Sequence, residues 1–184
     1  MANPPPGCNW HEITFSHIRC HVERGVTCVE KIMIRWATPG DADALGAVFY
    51  AAVRQGPSRY TEAQRAAWLD HRPKGLQWSE RLAPLQVAVA GVGGKAVGFM
   101  TIEPGGYIDL AFVRPDHQGR GLFRQLFERV EDWALHRREP RLRTHASLMA
   151  EPAFRAAGFL GIHRERVVRN GETLARAWME KTLR

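Results

Sequence analysis

A chain of 184 residues, 45% of them hydrophobic and 24% charged, has room for one globular α/β domain plus an appendage, not for two ordinary domains. No window approaches the roughly 20 apolar residues of a membrane span. The N-terminus, with Pro4 to Pro6 and His11, His17 and His21, lacks the apolar core of a secretory signal, so the expected location is the cytoplasm. The net charge of +7 arises beyond residue 32, since Arg19, Arg24 and Lys31 balance Glu12, Glu23 and Glu30 before it. Most of that charge is arginine, which suits phosphate groups on nucleic acid, an acidic substrate or a phosphorylated cofactor.

Cys8, Cys20 and Cys28 all fall in residues 1–32. An odd count in a cytosolic setting argues against a disulfide framework. Their spacing to His17 and His21 matches no paired zinc-ligand pattern, so no metal is expected. Residues 1–32 read as a disordered extension or as an over-read start, with Met33 the biological one, and residues 33–184 as the domain.

Met33–Ala37 alternates like a strand, and Thr38-Pro39-Gly40-Asp41 is a turn ahead of a helix. Over Ala42–Arg54, Leu45, Val48, Phe49 and Ala52 recur at helical period. Thr61 and Gln64 form a capping box for a second helix reaching about Asp70, ended by His71–Gly75; Leu76–Leu82 adds one short turn. A three-strand meander follows: Leu85–Ala90, Ala96–Glu103 and Tyr107–Val113, separated by Gly91–Gly94 and Pro104–Gly106.

From Gly119 to Arg137 the apolar positions Leu122, Phe123, Leu126, Phe127, Val130, Trp133 and Ala134 give the clearest helical signal in the chain. Leu142–Ser147 reads as a strand and Pro152–Ala157 as a short helix. Asn170-Gly171 is the turn of a closing hairpin. Trp68 and Trp133 belong to apolar helix faces, whereas Trp78, on a short segment, either lines a pocket or joins the core.

The chemistry concentrates in Tyr107–Arg124: a strand, a polar connection, then a helix opened by Gln118-Gly119-Arg120-Gly121-Leu122-Phe123. A helix start exposes unpaired N–H groups and the positive end of the macrodipole, and glycine lets an anion approach them. Arg114, Arg120 and Arg124 add charge. A dinucleotide fingerprint needs a third glycine, but Leu122, Phe123 and Arg124 follow Gly121. A Walker loop needs Ser or Thr after its lysine, but Gly93-Gly94-Lys95 leads into Ala96.

Ala111-Phe112-Val113-Arg114-Pro115-Asp116-His117-Gln118-Gly119-Arg120-Gly121 resembles motif A of the Gcn5-related N-acetyltransferases. Pro152–Phe159, with its Phe154 and Gly158-Phe159, is similar to that family's aromatic-x-x-x-Gly-Phe ending, and the element order from Met33 onward agrees. The resemblance implies an α/β (α+β) fold with a mixed sheet of six or seven strands and about four helices, and acetyl-CoA as co-substrate without a metal. It implies that the backbone of Ala111, Phe112 and Val113 pairs with the pantetheine arm. Amides of Gln118, Gly119, Arg120, Gly121, Leu122 and Phe123 would hold the pyrophosphate, with Arg124 beside them and Ser147 a further contact.

Two positions depart from the pattern: Phe123 stands where the family prefers Gly or Ala, and Phe154 where many members carry a tyrosine acid. Phe123 is expected to turn its ring into the core. Phe154 cannot protonate a thiolate, but expelling a thiol of pKa near 8.5 as thiolate costs only about 2 kcal/mol at pH 7.

Acetyl transfer needs a neutral amine, and a lysine-like amine is handicapped by about 4.6 kcal/mol at pH 7, so a base is sought. Asp109 is one candidate, its alternative an exposed strand carboxylate. His145, two residues before Ser147 on the same strand face, is another, its alternative a structural histidine. Tyr60 precedes the second helix in the region that lines the acceptor site in this fold. The leading reading is an acetyl-CoA-dependent N-acetyltransferase acting on a primary amine of a small molecule or protein. The alternative is a non-catalytic acyl-CoA-binding module. Nucleic-acid binding lacks a recognition motif. Dimers are common in this fold, but no residue pattern here specifies one.

Overall fold

A computed structural model describes residues 31–184. The expectations for residues 1–30, including the cysteines and the extension, lie outside the described residues.

Among the described residues, eight strands form two four-stranded sheets. The first holds, in order, β1 (Ile32–Trp36), β2 (Gln86–Val92), β3 (Lys95–Ile102) and β5 (Ala111–Val113), all antiparallel. In the second, β4 (Tyr107–Ile108) runs parallel to β6 (Arg141–Ser147). The hairpin of β8 (Glu172–Thr182) and β7 (Leu160–Arg169) completes it. Five α-helices among the described residues, α1 (Ala42–Arg54), α2 (Glu62–Trp68), α3 (Gly75–Leu82), α4 (Leu122–His136) and α5 (Glu151–Ala156), cover the sheets.

The mixed α/β class is as expected, but the strand count is not, and the cause is local. Tyr107–Val113, read as one strand, is two. After Ile108 the chain leaves β6 and at Ala111 joins β3. The crossing is fixed at Leu110, whose N–H donates to Thr101 Oγ1 at 2.9 Å and whose carbonyl accepts from the Thr101 N–H at 2.8 Å. One continuous ribbon thus becomes two sheets with a gap between β5 and β6.

Two apolar clusters hold the layers together. On one side Leu122, Leu126 and Val130 of α4 and Phe154 of α5 pack on Met100, Ile102, Leu142, Ala146 and Met179. On the other, Leu45, Val48 and Phe49 of α1 pack with Trp78 and Leu82 of α3 over Val89 and Phe99. Trp78 belongs to this core rather than to a pocket, for its indole N–H donates to the Ala42 carbonyl at 2.7 Å. The segment from Gly75 is a full eight-residue helix rather than a single turn, and α2 stops at Trp68, short of Asp70. The hairpin turn is as expected, with both Asn170 (φ 44°) and Gly171 (φ 83°) at positive φ.

Candidate functional site

The gap between β5 and β6 opens into a groove of about 960 Å³. Its walls include Ala111, Phe112 and Val113 on one side and Ser147, Met149 and Ala153 on the other, with Tyr60 and Trp68 at one end. Leu110 C=O and Arg114 N–H bond across to β3, at Thr101 and Val97. The alternation of an antiparallel ladder therefore turns the peptide groups of Ala111 and Val113 toward the groove. Val113 O is already taken by Gln118 Nε2 at 3.0 Å, so the two amides and the Ala111 carbonyl remain to meet an extended ligand.

At the far end lies the glycine turn. It is a loop, not the start of the helix. Gly119 (φ 73°) and Gly121 (φ 74°) both adopt left-handed backbone, which no helix contains, and α4 begins only at Leu122. The first helical bond runs from Gln125 N–H to Gly121 O, so the amides of Leu122, Phe123 and Arg124 have no acceptor within the helix. A Cβ at Gly119 or Gly121 would meet no atom within 4 Å. The space above them is open, and glycine is needed there for its conformation.

Gln118, Gly119, Gly121, Leu122, Phe123 and Arg124 line the groove, whereas Arg120 stands outside it, exposed. The arginines contribute less than their number suggests. Arg124 pairs with Glu128 one helical turn on at 2.8 Å, and Arg114 with Asp116 at 3.2 Å. What the turn offers an anion is chiefly main chain and helix dipole.

Phe123 neither blocks the turn nor sinks fully into the core. Its half-buried ring stacks against Phe127 and meets Phe154 edge-on at 5.0 Å between centroids, forming part of the groove wall. Phe154 itself is 1% exposed. Trp68, expected in the core, packs against the α1–α3 cluster and also lines the groove.

The three candidate bases are not brought together. Tyr60 lines the groove, but its hydroxyl donates to Ala175 O at 2.6 Å and accepts from Leu148 N–H at 2.9 Å, tying three segments together. Burial raises its pKa, so it is a poor proton acceptor at neutral pH. Asp109 is exposed in the link between β4 and β5 and paired with Arg81 of α3 at 3.0 Å. His145 lies on β6 two residues, about 7 Å, from groove-lining Ser147, on the face opposite Leu142 and Ala146. Burial lowers its pKa and the Arg176 charge adds to that, which keeps the ring neutral at pH 7.

Sequence reasoning passed over the surroundings of His145: Tyr107 on β4, Glu165 on β7, and Arg176 and Trp178 on β8. Cross-strand register brings them together, pairing His145 with Trp178 and Glu165 with Arg176. Their scattered sequence positions gave no spacing signal.

Residues 57–183 match the acetyltransferase (GNAT) domain family. The chain belongs to the Gcn5-related N-acetyltransferases. Uncharacterized N-acetyltransferase YafP of Escherichia coli (strain K12) is similar, at 34% identity over 153 residues, covering 82% of this chain and 96% of that protein. A GCN5-related N-acetyltransferase from Rhodopseudomonas palustris superposes with a TM-score of 0.76 at 30% identity, covering 86% of this chain and 100% of that one. The fold also matches yncA, a putative acetyltransferase from Salmonella typhimurium solved with its cofactor acetyl-CoA, with a TM-score of 0.60 at 21% identity over 84% of this chain and 95% of that one. As a Gcn5-related N-acetyltransferase the protein is an acyl-transferring enzyme, and among its described residues no helix is long and apolar enough to cross a membrane.

Proposed function

We propose that this enzyme takes acetyl-CoA as donor and acetylates a primary amine of a small molecule or protein in the cytoplasm. The reading rests chiefly on one observation. A single groove joins the unpaired edge of β5 at one end to the amides of Leu122, Phe123 and Arg124 at the other. An extended pantetheine arm would add to β5 like a further strand, and its pyrophosphate would sit over Gly119 and Gly121. Ser147 would be a polar contact on the opposite wall. The acetyl-CoA bound in the yncA structure supports the choice of ligand.

In this reading the bound cofactor supplies the activated acyl group, and the chain positions it and handles protons. Ala111 and Val113 hold the arm through main-chain bonds. His145, held neutral on β6 two residues from groove-lining Ser147, takes the proton that an incoming amine must lose. Asp109 is less suited to that role, since Arg81 already pairs with its carboxylate. Phe154 supplies no acid, so the departing sulfur takes its proton from the substrate nitrogen or from water.

Two measurements test this. Acetyl-CoA should raise the melting temperature, and release of free thiol should depend on an amine when a panel of amines, amino acids and antibiotics is screened. Binding without amine-dependent thiol release would favour the non-catalytic alternative. Absence of a thermal shift at saturating acetyl-CoA would remove both.

A further inference from the structure

The polar face of the β4–β6–β8–β7 sheet carries a hydrogen-bonded chain of side chains. Tyr107 Oη lies 2.8 Å from His145 Nδ1. His145 Nε2 lies 3.1 Å from Glu165 Oε1, and Arg176 Nε bonds that same carboxylate oxygen. The Trp178 ring lies 4.5 Å from His145 and 6.3 Å from Tyr107, centroid to centroid. A carboxylate oxygen only accepts. The proton of neutral His145 therefore belongs on Nε2, toward Glu165, which leaves Nδ1 as a lone pair into which the Tyr107 hydroxyl donates.

Resting on the acetyltransferase reading, we infer that Tyr107 is the group that touches the substrate amine, that His145 behind it is the proton sink, and that Glu165 is a positioning residue that fixes the histidine tautomer. Tyr107 stands four residues before Ala111 on the segment that spans the splay, so relay and donor site share one stretch of backbone. The competing hydroxyl, Tyr60, has its proton committed to the Ala175 carbonyl.

The protons and electrons balance as follows. An ammonium group gives one proton to Tyr107 Oη while the Tyr107 proton passes to His145 Nδ1, leaving a neutral amine and an imidazolium facing Glu165. The amine lone pair forms the C–N bond at the thioester carbonyl carbon as the C=O π pair moves to oxygen. That pair then returns, the C–S bond breaks, and the sulfur takes the second nitrogen proton. Amide and free thiol are released, and His145 returns its proton to water. This route needs no acid at Phe154.

The charges facing His145 are compatible with the relay. Asp109 from the β4–β5 link and Glu165 from β7 stabilise the imidazolium, while Arg176 from β8 and His163 from β7 oppose it. Burial and Asp109 raise the Tyr107 pKa, which keeps its hydroxyl protonated at rest.

The test uses the full chain labelled with ¹⁵N-histidine, together with pH profiles of kcat/KM for acetyl-CoA and the fastest amine of the panel. The wild type should show His145 as the Nε2–H tautomer, with a titration midpoint below 6.5. Tyr107→Phe removes the donor that favours the neutral ring, so it should raise the midpoint and lower kcat at least about tenfold. Glu165→Gln removes the carboxylate that favours the cation, so it should lower the midpoint. The acid limb of kcat/KM should move with each variant, in opposite directions, while the thermal shift by acetyl-CoA stays that of the wild type. Should Tyr107→Phe not fold, Glu165→Gln carries the test by its sign. An Nδ1–H tautomer, or an acid limb unmoved in a turning-over enzyme, overturns the relay alone. A wild type without a thermal shift strikes instead at the transferase reading.

Discussion

The proposed cofactor side and the proposed amine side of the gap are built from different material. The cofactor side is main chain: the β5 edge and the amides after Gly121, contiguous in sequence and nearly indifferent to side-chain identity except where glycine is required. The amine side, as proposed, is side chains: Tyr107, His145, Glu165, Arg176 and Trp178 gathered from four strands, each replaceable without disturbing a backbone bond. The contrast explains how one fold can keep a donor while changing its acceptor. A surface made of peptide groups changes little under substitution, whereas a surface made of side chains changes with every one.

Substitutions can break that contrast or sharpen it. The largest expected effect is on the side-chain surface. His145→Ala should lower kcat roughly 100- to 10,000-fold while the dissociation constant for acetyl-CoA, measured by calorimetry, stays unchanged. Next is Gly121→Val. An L-residue held at φ 74° costs about 1–3 kcal/mol, and its side chain would enter the anion's space, so acetyl-CoA affinity should fall at least about tenfold.

Tyr60→Phe should act on stability rather than chemistry. It leaves Leu148 N–H and Ala175 O without their partner, a loss of about 1–3 kcal/mol readable by urea unfolding. Smallest is Arg124→Gln. That side chain is exposed and already paired with Glu128, so acetyl-CoA affinity should change less than about threefold, in keeping with surface pairs.

The pH dependence of stability has a definite sign. The folded His145 pKa lies below its unfolded value near 6.5, so the unfolded chain binds more protons between the two values. Stability should therefore fall as pH drops below about 6.5. The fall should be absent in His145→Ala, with unfolding midpoints from pH 5 to 8 as the check.

How much of this was legible follows the same division. The α4 stripe, the capping box at Thr61 and the Asn170-Gly171 turn are local signals, and each marks an element that forms. The glycine turn was found because an amide cradle is short and contiguous. Its conformation was misjudged, since a helix was read through Gly119 and Gly121 where positive φ forbids one.

The break at Asp109-Leu110 left no mark because alternation continues across it, and only pairing with β3 and β6 shows the chain changing sheets. Trp78 took the core alternative, and Trp68 packs on the core while also lining the groove. α3 packs against α1 and encloses Trp78, whereas α2 stops at Trp68 and leaves its ring beside the groove. His145 was visible as a residue type, but its partners are set by cross-strand register, which one sequence does not state.

The splay between β4 and β5 has a mechanical consequence. Tyr107 and Ala111 are four residue steps apart, about 13 Å at strand rise, anchored at both ends in different sheets and pinned at Leu110 by Thr101. On the proposed assignment, that stretch sets the distance between acyl donor and proton acceptor. Its length cannot drift, because one inserted residue would rotate every following side chain to the opposite face. On that assignment a substitution should retune which amine is accepted, whereas an insertion or deletion at these few positions should uncouple the two ends.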